Sequence, residues 1–216
     1  MGEFDLNEEL DVLTLQKLNI GPYNNNVFVL TCKETTEGVI VDTSFSADPI
    51  LAACSNTKVK YILQTHCHGD HVDALPEVRK RTSAPLGLHP EESKTYGIKG
   101  EFSINDEDTI TFGKVSLKAI HAPGHSPGML MFYYPGHCIC GDVVFPGGPG
   151  KTSDHNQLLT LIDSIKKKVH TLPDDTALYP GHGADTTVGE SKKQLAAFEA
   201  VDRPKAGEFG DINWSD

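Results

Sequence analysis

The chain predicts a layered α/β fold. Apolar segments rich in β-branched residues recur throughout it, amphipathic stretches with helical spacing lie between and after them, and no internal repeat or low-complexity tract breaks the pattern. At 216 residues the chain is long enough for a well-buried core without disulfide staples, and positions 1–216 show no linker, so they are taken as a single domain.

The strands come in two groups. "DVLTLQKLNI", "NVFVLTC" and "GVIVDTSF" open the first, and the polar turn "KETTEG" marks the last two as a hairpin. "ADPILAACSN" reads as a short helix before the strand "KVKYILQT". "VDALPEVRKRT" has helical spacing that tolerates Pro76 only near its first turn. "APLGLHP" is a short strand, and "SKTYGIKGEFSINDEDTITFG" a looser, turn-rich passage. "KVSLKAIHA", "GMLMFYYP" and "HCICGD" form the second group, followed by the glycine- and proline-rich loop "VVFPGGPGKTSD". A long amphipathic helix is expected from about Ser153, capped by Ser153 or Asp154. "DTALYP" is a strand and "VGESKKQLAAFEAV" a closing helix. The tail "DRPKAGEFGDINWSD" is expected to be loosely ordered, with Trp214 packing on the body.

Charge and cysteine usage narrow the function classes. A formal net charge of −11 opposes binding to nucleic acid or to anionic membranes, and the densest basic run, "SIKKKVH", reads as the polar side of a helix. No apolar run nears the roughly 20 residues that span a bilayer. The five cysteines are not spaced as a disulfide framework. Cys138 and Cys140 alternate along one strand, so both face one side as buried thiols, with a CxC metal pair as the lesser alternative. "MGEFDLNEEL" has no signal-peptide character. A reducing cytoplasm fits these features.

The chemistry concentrates in "YILQTHCHGDHVDAL". His66 and His68 are two apart in an extended segment and project to the same side, and Asp70 and His71 follow where the chain turns into a helix. Two neighbouring ligand pairs leaving one strand end could serve two metals rather than one. Further ligands are expected at other strand ends: His125 in "APGHSPG", Asp142 at the end of "HCICGD" and His182 in "YPGHGAD". His121 is expected to fix a loop. His89, His137 and His170 are expected to be structural, His155 to sit by a helix cap, and Cys67 to point away from the metals.

The ordered motifs "THCHGDH", "PGHS", "GD" and "PGHG" resemble those of the metallo-β-lactamase superfamily, and the resemblance runs from the first strand to about Lys193. It implies an αββα four-layer sandwich with a dinuclear site on one edge. Carried over by position, His66, His68 and His125 would hold one metal, Asp70, His71 and His182 the second, and Asp142 would bridge them; all seven positions are filled. Asp70 and Asp142 are the expected catalytic carboxylates. The implied cofactor is two divalent ions, with zinc first and iron or manganese as alternatives. Two cations that share a carboxylate can share a water, lower its pKa toward neutrality and polarise a carbonyl, so no serine or cysteine nucleophile is needed.

Within the superfamily the chain is most similar to the glyoxalase II-like hydroxyacylglutathione hydrolases. "GDVVFPGGPGKT" resembles their loop after the bridging aspartate, and Lys151 falls where they carry a basic residue that contacts the glycine carboxylate of glutathione; a solvated loop lysine is the alternative. The expected substrate is a small thiol conjugate, a thioester. Two departures stand against glutathione itself: Ser153 replaces the group's tyrosine, and no helical extension follows "QLAAFEAV". Persulfide dioxygenases form the main alternative, using His66, His125 and Asp142 for a single iron, although "GKTSD" departs from their Gly-Arg-Thr-Asp loop. A lactonase is a third option. The missing export signal and the presence of His71 disfavour β-lactamases, and the acidic charge disfavours nucleases.

Overall fold

The computed structural model describes residues 6–214. The first half builds a seven-stranded sheet whose spatial order follows the chain: β1 (Leu6–Glu9), β2 (Leu13–Ile20), β3 (Asn25–Cys32), β4 (Glu37–Val41), β5 (Lys58–Leu63), β6 (Leu86–Leu88) and β7 (Phe102–Ser103). The hairpin expected between β3 and β4 is present, Phe28 opposite Val41. From β4 onward the pairing is parallel, because the helices α1 (Ala47–Ala53), α2 (Gly69–Val72) with α3 (Leu75–Thr82), and α4 (Pro90–Tyr96) supply the crossovers.

The second sheet runs β8 (Thr109–Phe112), β9 (Val115–His121), β10 (Leu130–Tyr134) and β11 (His137–Gly141) antiparallel. A two-residue pair, β12 (Val144–Phe145) and β13 (Gly148–Pro149), lies in the glycine-rich loop. After α5 (His155–Ser164), β14 (Ala177–Pro180) adds parallel to β11, and β15 (Thr186–Thr187) leads into α6 (Val188–Ala200). Helix α5 does not simply continue to residue 172. Residues 165–169 wind into a wider turn that keeps Ile165 and Val169 buried and leaves Lys166, Lys167 and Lys168 outside.

The sheets pack face to face. Leu15, Phe28, Leu30, Val41 and Leu63 of the first meet Phe112, Leu117, Phe132 and Tyr179 of the second in one core. The outer face of the first sheet is covered through Ile50, Leu75 and Val78, and that of the second through Leu158, Leu161, Leu195 and Phe198. This is the expected αββα sandwich. Cys138 and Cys140 both face the second helical layer as buried free thiols, as their alternation required.

Pro76 sits in the first turn of α3. Asp154 caps α5, accepting from the Gln157 amide at 2.9 Å. The passage expected to be loose holds β8 and most of α4, which starts on the capping residue His89 and Pro90. The tail is pinned rather than loose. Thr152 N–H donates to the Gly210 carbonyl, His155 Nδ1–H to Glu208 and Trp214 N–H to Gly147, while the Trp214 ring is buried against the second helical layer. His155 thus serves the tail. No helix among the described residues is long and apolar enough to cross a membrane.

Candidate metal centre

Strand direction assembles the site. β4, β5 and β6 run parallel in one sheet and β11 and β14 parallel in the other, so the loops that leave their C-terminal ends gather at one edge of the sandwich. The loop after β5 brings His66 and His68, and α2 brings Asp70 and His71. The β9–β10 loop carries His125, Asp142 follows β11, and His182 follows β14. Asn26 ties the sheets together there: its N–H donates to the Gly181 carbonyl at 2.7 Å, and its side chain donates to the Pro180 and Gly183 carbonyls.

All seven sequence-predicted residues meet. Ligand-type atoms of His66, His68 and His125 lie within 4.8 Å of one another, as do those of Asp70, His71 and His182, and those of His66, His71 and Asp142. Asp142 touches rings of both groups: Oδ2 is 3.4 Å from His125 Nε2 and 3.5 Å from His182 Nε2, and Oδ1 is 3.6 Å from His71 Nε2.

Hydrogen bonds behind the rings decide which nitrogens face inward. His125 Nδ1–H donates to the Lys151 carbonyl at 2.7 Å and His182 Nδ1–H to the Tyr23 carbonyl at 2.9 Å. His71 Nδ1–H donates to the Asp42 carboxylate at 3.0 Å. Thr65 Oγ1–H donates to Asp42 at 2.7 Å, so it accepts from His66 Nδ1–H at 3.1 Å. In their neutral forms all four rings therefore aim an Nε2 lone pair into the site. His68 differs, meeting His125 Nε2 through its own Nδ1 at 2.8 Å.

These donors fit a cation. His71 Nε2 and His182 Nε2 lie 3.0 Å apart, where two lone pairs repel unless a positive charge lies between them. His66 Nε2 and Asp142 Oδ1 are buried with no hydrogen-bond partner, which a buried polar atom does not normally tolerate. The electrostatics agree. Burial opposes charge on His71, but Asp142, Asp42 and Asp70 outweigh it and push its pKa up to about 9. Burial likewise works against the Asp142 carboxylate, yet His71, His182, His66 and His125 hold its pKa well below the ordinary range. Burial and the neighbouring rings keep His66 neutral and take His68 down to about 4. Imidazole nitrogens with carboxylate oxygens form the donor set that divalent zinc, iron and manganese accept.

A family model, the metallo-beta-lactamase superfamily, matches residues 20–182, which include every one of these side chains. The chain belongs to the metallo-β-lactamase superfamily. Among its relatives is the mitochondrial persulfide dioxygenase ETHE1 of Homo sapiens, 32% identical over 162 residues, covering 72% of this chain and 62% of the relative. The hydroxyacylglutathione hydrolase of Photorhabdus laumondii is 32% identical over 172 residues, covering 78% of this chain and 66% of the relative. A crystal structure of TTHA1623 in a di-iron-bound form superposes with a TM-score of 0.68 at 27% identity, covering 82% of this chain and 96% of that one. The chain thus belongs to a metallo-hydrolase superfamily and carries a His/Asp cluster suited to divalent metal.

Several residues of the site are absent from the sequence prediction. Asp42 is fully buried beneath His71 and also accepts from Gln64 Nε2 and the Thr65 amide. Asn25 Nδ2 donates to Asp70 Oδ2 at 2.9 Å. A carboxylate closing the apolar strand "GVIVD" was a readable signal, the same one that marks Asp142; "NNN" resembles an ordinary turn. Lys151 stands on the rim of a cleft of about 470 Å³ that opens beside His125, Asp142 and His182. The pinned tail forms the opposite wall through Asp211, Ile212 and Asn213, and Asp211 lies 3.8 Å from the Lys151 ammonium. Of the other histidines, His121 Nε2–H fixes the Pro127 carbonyl, His137 pairs with the Tyr179 hydroxyl and His170 with Ser191, all structural as expected. Cys67 is buried away from the ligands, and burial raises its thiol pKa.

Proposed function

We propose that this chain, in a single domain spanning 1–216, is a dinuclear metal-dependent hydrolase of thioesters in the glyoxalase II-like manner. In this proposal His66, His68 and His125 hold one divalent cation, Asp70, His71 and His182 hold the other, and Asp142 bridges. The observation that carries it is the position of Asp142, within 3.6 Å of ring nitrogens from both groups. Zinc is the first choice of metal, with iron or manganese as alternatives. The five free, buried cysteines support a reducing cytoplasm as the compartment.

When bound, such cations supply an acidic water and polarise a carbonyl. The chain's own groups do the rest. The four Nδ1-anchored rings hold their Nε2 atoms fixed, so none of these four has to reorient during turnover. Asp142, almost fully buried, stays anionic between the two groups. Asp70 is the more exposed carboxylate and is anchored by Asn25 through Oδ2, which suits it to receive the proton of the attacking water and release it to solvent. A thiolate, with a pKa of about 8.5, leaves without an acid. Lys151 at the rim pairs with a carboxylate of an anionic thiol carrier.

A panel of acyl thioesters of glutathione and of simpler thiols, read by free-thiol release, tests the proposal. Hydrolysis that Asp142→Ala abolishes is the expected result, and a metal-loaded chain that cleaves no thioester sinks it. The human relative supports a second reading, a persulfide dioxygenase with one iron on His66, His125 and Asp142. Oxygen uptake with a persulfide distinguishes the two.

A further inference from the structure

Glu92 is fully buried, on the inner side of α4, and it is that helix's only buried residue. Its Oε2 accepts from the Cys67 amide at 2.8 Å, and its Oε1 accepts from Ser126 Oγ at 2.7 Å and the Gly128 amide at 2.7 Å. Among the described residues no cation pairs with it in an ion pair. A carboxylate removed from water costs several kcal/mol unless donors replace the lost solvation. Three short donors do so here, two of them main-chain.

The placement of those donors is informative. Cys67 lies between His66 and His68, and Ser126 follows His125. One carboxylate thus grips both loops that carry the first ligand trio. His66 and His125 are anchored behind their rings by Thr65 Oγ1 and the Lys151 carbonyl, whereas His68 meets the trio through its Nδ1, 2.8 Å from His125 Nε2. Gly128 belongs to the same clamp, since a Cβ there would sit 2.8 Å from both the Glu92 amide nitrogen and its Cγ.

We propose that Glu92 is a positioning residue for the first metal: a buried anionic clamp that fixes His66 and His68 against His125 and has no part in the second trio. This rests on the dinuclear assignment above and deepens it.

The test is a cobalt(II) titration of metal-free wild type, Glu92→Gln and Ser126→Ala, read by visible absorbance and competition with a chelator, with near-ultraviolet circular dichroism as a fold control. His68→Ala and His182→Ala identify the spectrum of each site. Glu92→Gln keeps the shape but turns one acceptor into a donor against an N–H, so affinity at the His68 site is expected to fall about 10- to 100-fold with the His182 site unchanged. Ser126→Ala removes one donor and is expected to give a smaller loss at the same site. Unchanged affinity in Glu92→Gln overturns the clamp, as does equal weakening of both sites or loss of the folded spectrum, which would make Glu92 a general core residue. A wild type that binds no cobalt overturns the dinuclear assignment itself, and the clamp with it.

Discussion

The Nε2 atoms of His71 and His182, from different sheets of the sandwich, face each other at 3.0 Å, while the opposite nitrogen of each ring is engaged by Asp42 and by the Tyr23 carbonyl. Neither ring can turn away without breaking one of these hydrogen bonds, the His71 one buried. With both rings neutral, the fold therefore holds two lone pairs face to face at a distance that a shared proton or a metal cation relieves.

Asp42 is central to that arrangement. It accepts from His71 Nδ1, Gln64 Nε2, the Thr65 amide and Thr65 Oγ1. Asp42→Ala removes their shared acceptor; Gln64 Nε2 keeps the His71 carbonyl, and the cost is about 1–3 kcal/mol for each remaining group that finds no new partner or water. We expect a fall in unfolding free energy of about 3 kcal/mol or more, measured by urea denaturation, with a loss of metal affinity of about 10- to 100-fold.

Asp142→Ala should separate site from scaffold. The residue serves the cluster rather than the packed core, so turnover should be abolished while the melting temperature of the metal-free chain changes little. Near-full turnover in this variant would remove the bridging assignment.

Gly181 permits the close approach of Asp142 and His71. A Cβ there would lie 2.2 Å from Asp142 Oδ1 and 2.7 Å from His71 Cε1. Gly181→Ala is expected to displace both side chains, lowering stability by about 1–3 kcal/mol as overpacking does. Metal content of the purified variant should drop below that of wild type.

Lys151 and Asp211 oppose each other across the cleft rim, both largely exposed. If Lys151 receives a substrate carboxylate, Lys151→Ala raises KM for an anionic thioester about threefold to tenfold with kcat little changed, because a rim contact of this kind is worth about 1 kcal/mol. Asp211→Asn should lower KM for the same substrate. Neither variant should affect a neutral thioester.

His170 offers a pH signature outside the site. Burial, with Lys192 and Lys166 nearby, takes its pKa down to about 4, against about 6.5 in an unfolded chain. The unfolded state thus binds a proton first as pH falls, so stability is lost between about pH 6.5 and 4 and is fully present above that window. His170→Gln should flatten this part of the stability profile, measured by melting temperature against pH.

The seven site residues were legible because each is a His or Asp in a short Gly- or Pro-bounded motif at a strand end, where periodicity stops and polar residues stand out. The longer strands were legible for the complementary reason, as apolar or alternating runs that face a core, whereas β1, β7, β8, β12, β13 and β15, each of two to four residues, were not. Helix α4 was not, because the residue it buries is Glu92, which leaves no apolar stripe. The pinned tail was missed too. Its order comes from main-chain bonds of Gly210 and Trp214 to a distant loop, and such bonds have no signature in composition. Asp42 lay between these cases, a carboxylate closing an apolar strand, visible but not taken up.

Metal content per chain, by elemental analysis of protein purified without chelator or added metal, tests the central claim most directly. About two equivalents of divalent metal, falling to about one in His182→Ala, is the result the site geometry predicts. A folded wild-type chain that carries no metal and takes none up on dialysis against zinc, iron(II) or manganese(II) would contradict it.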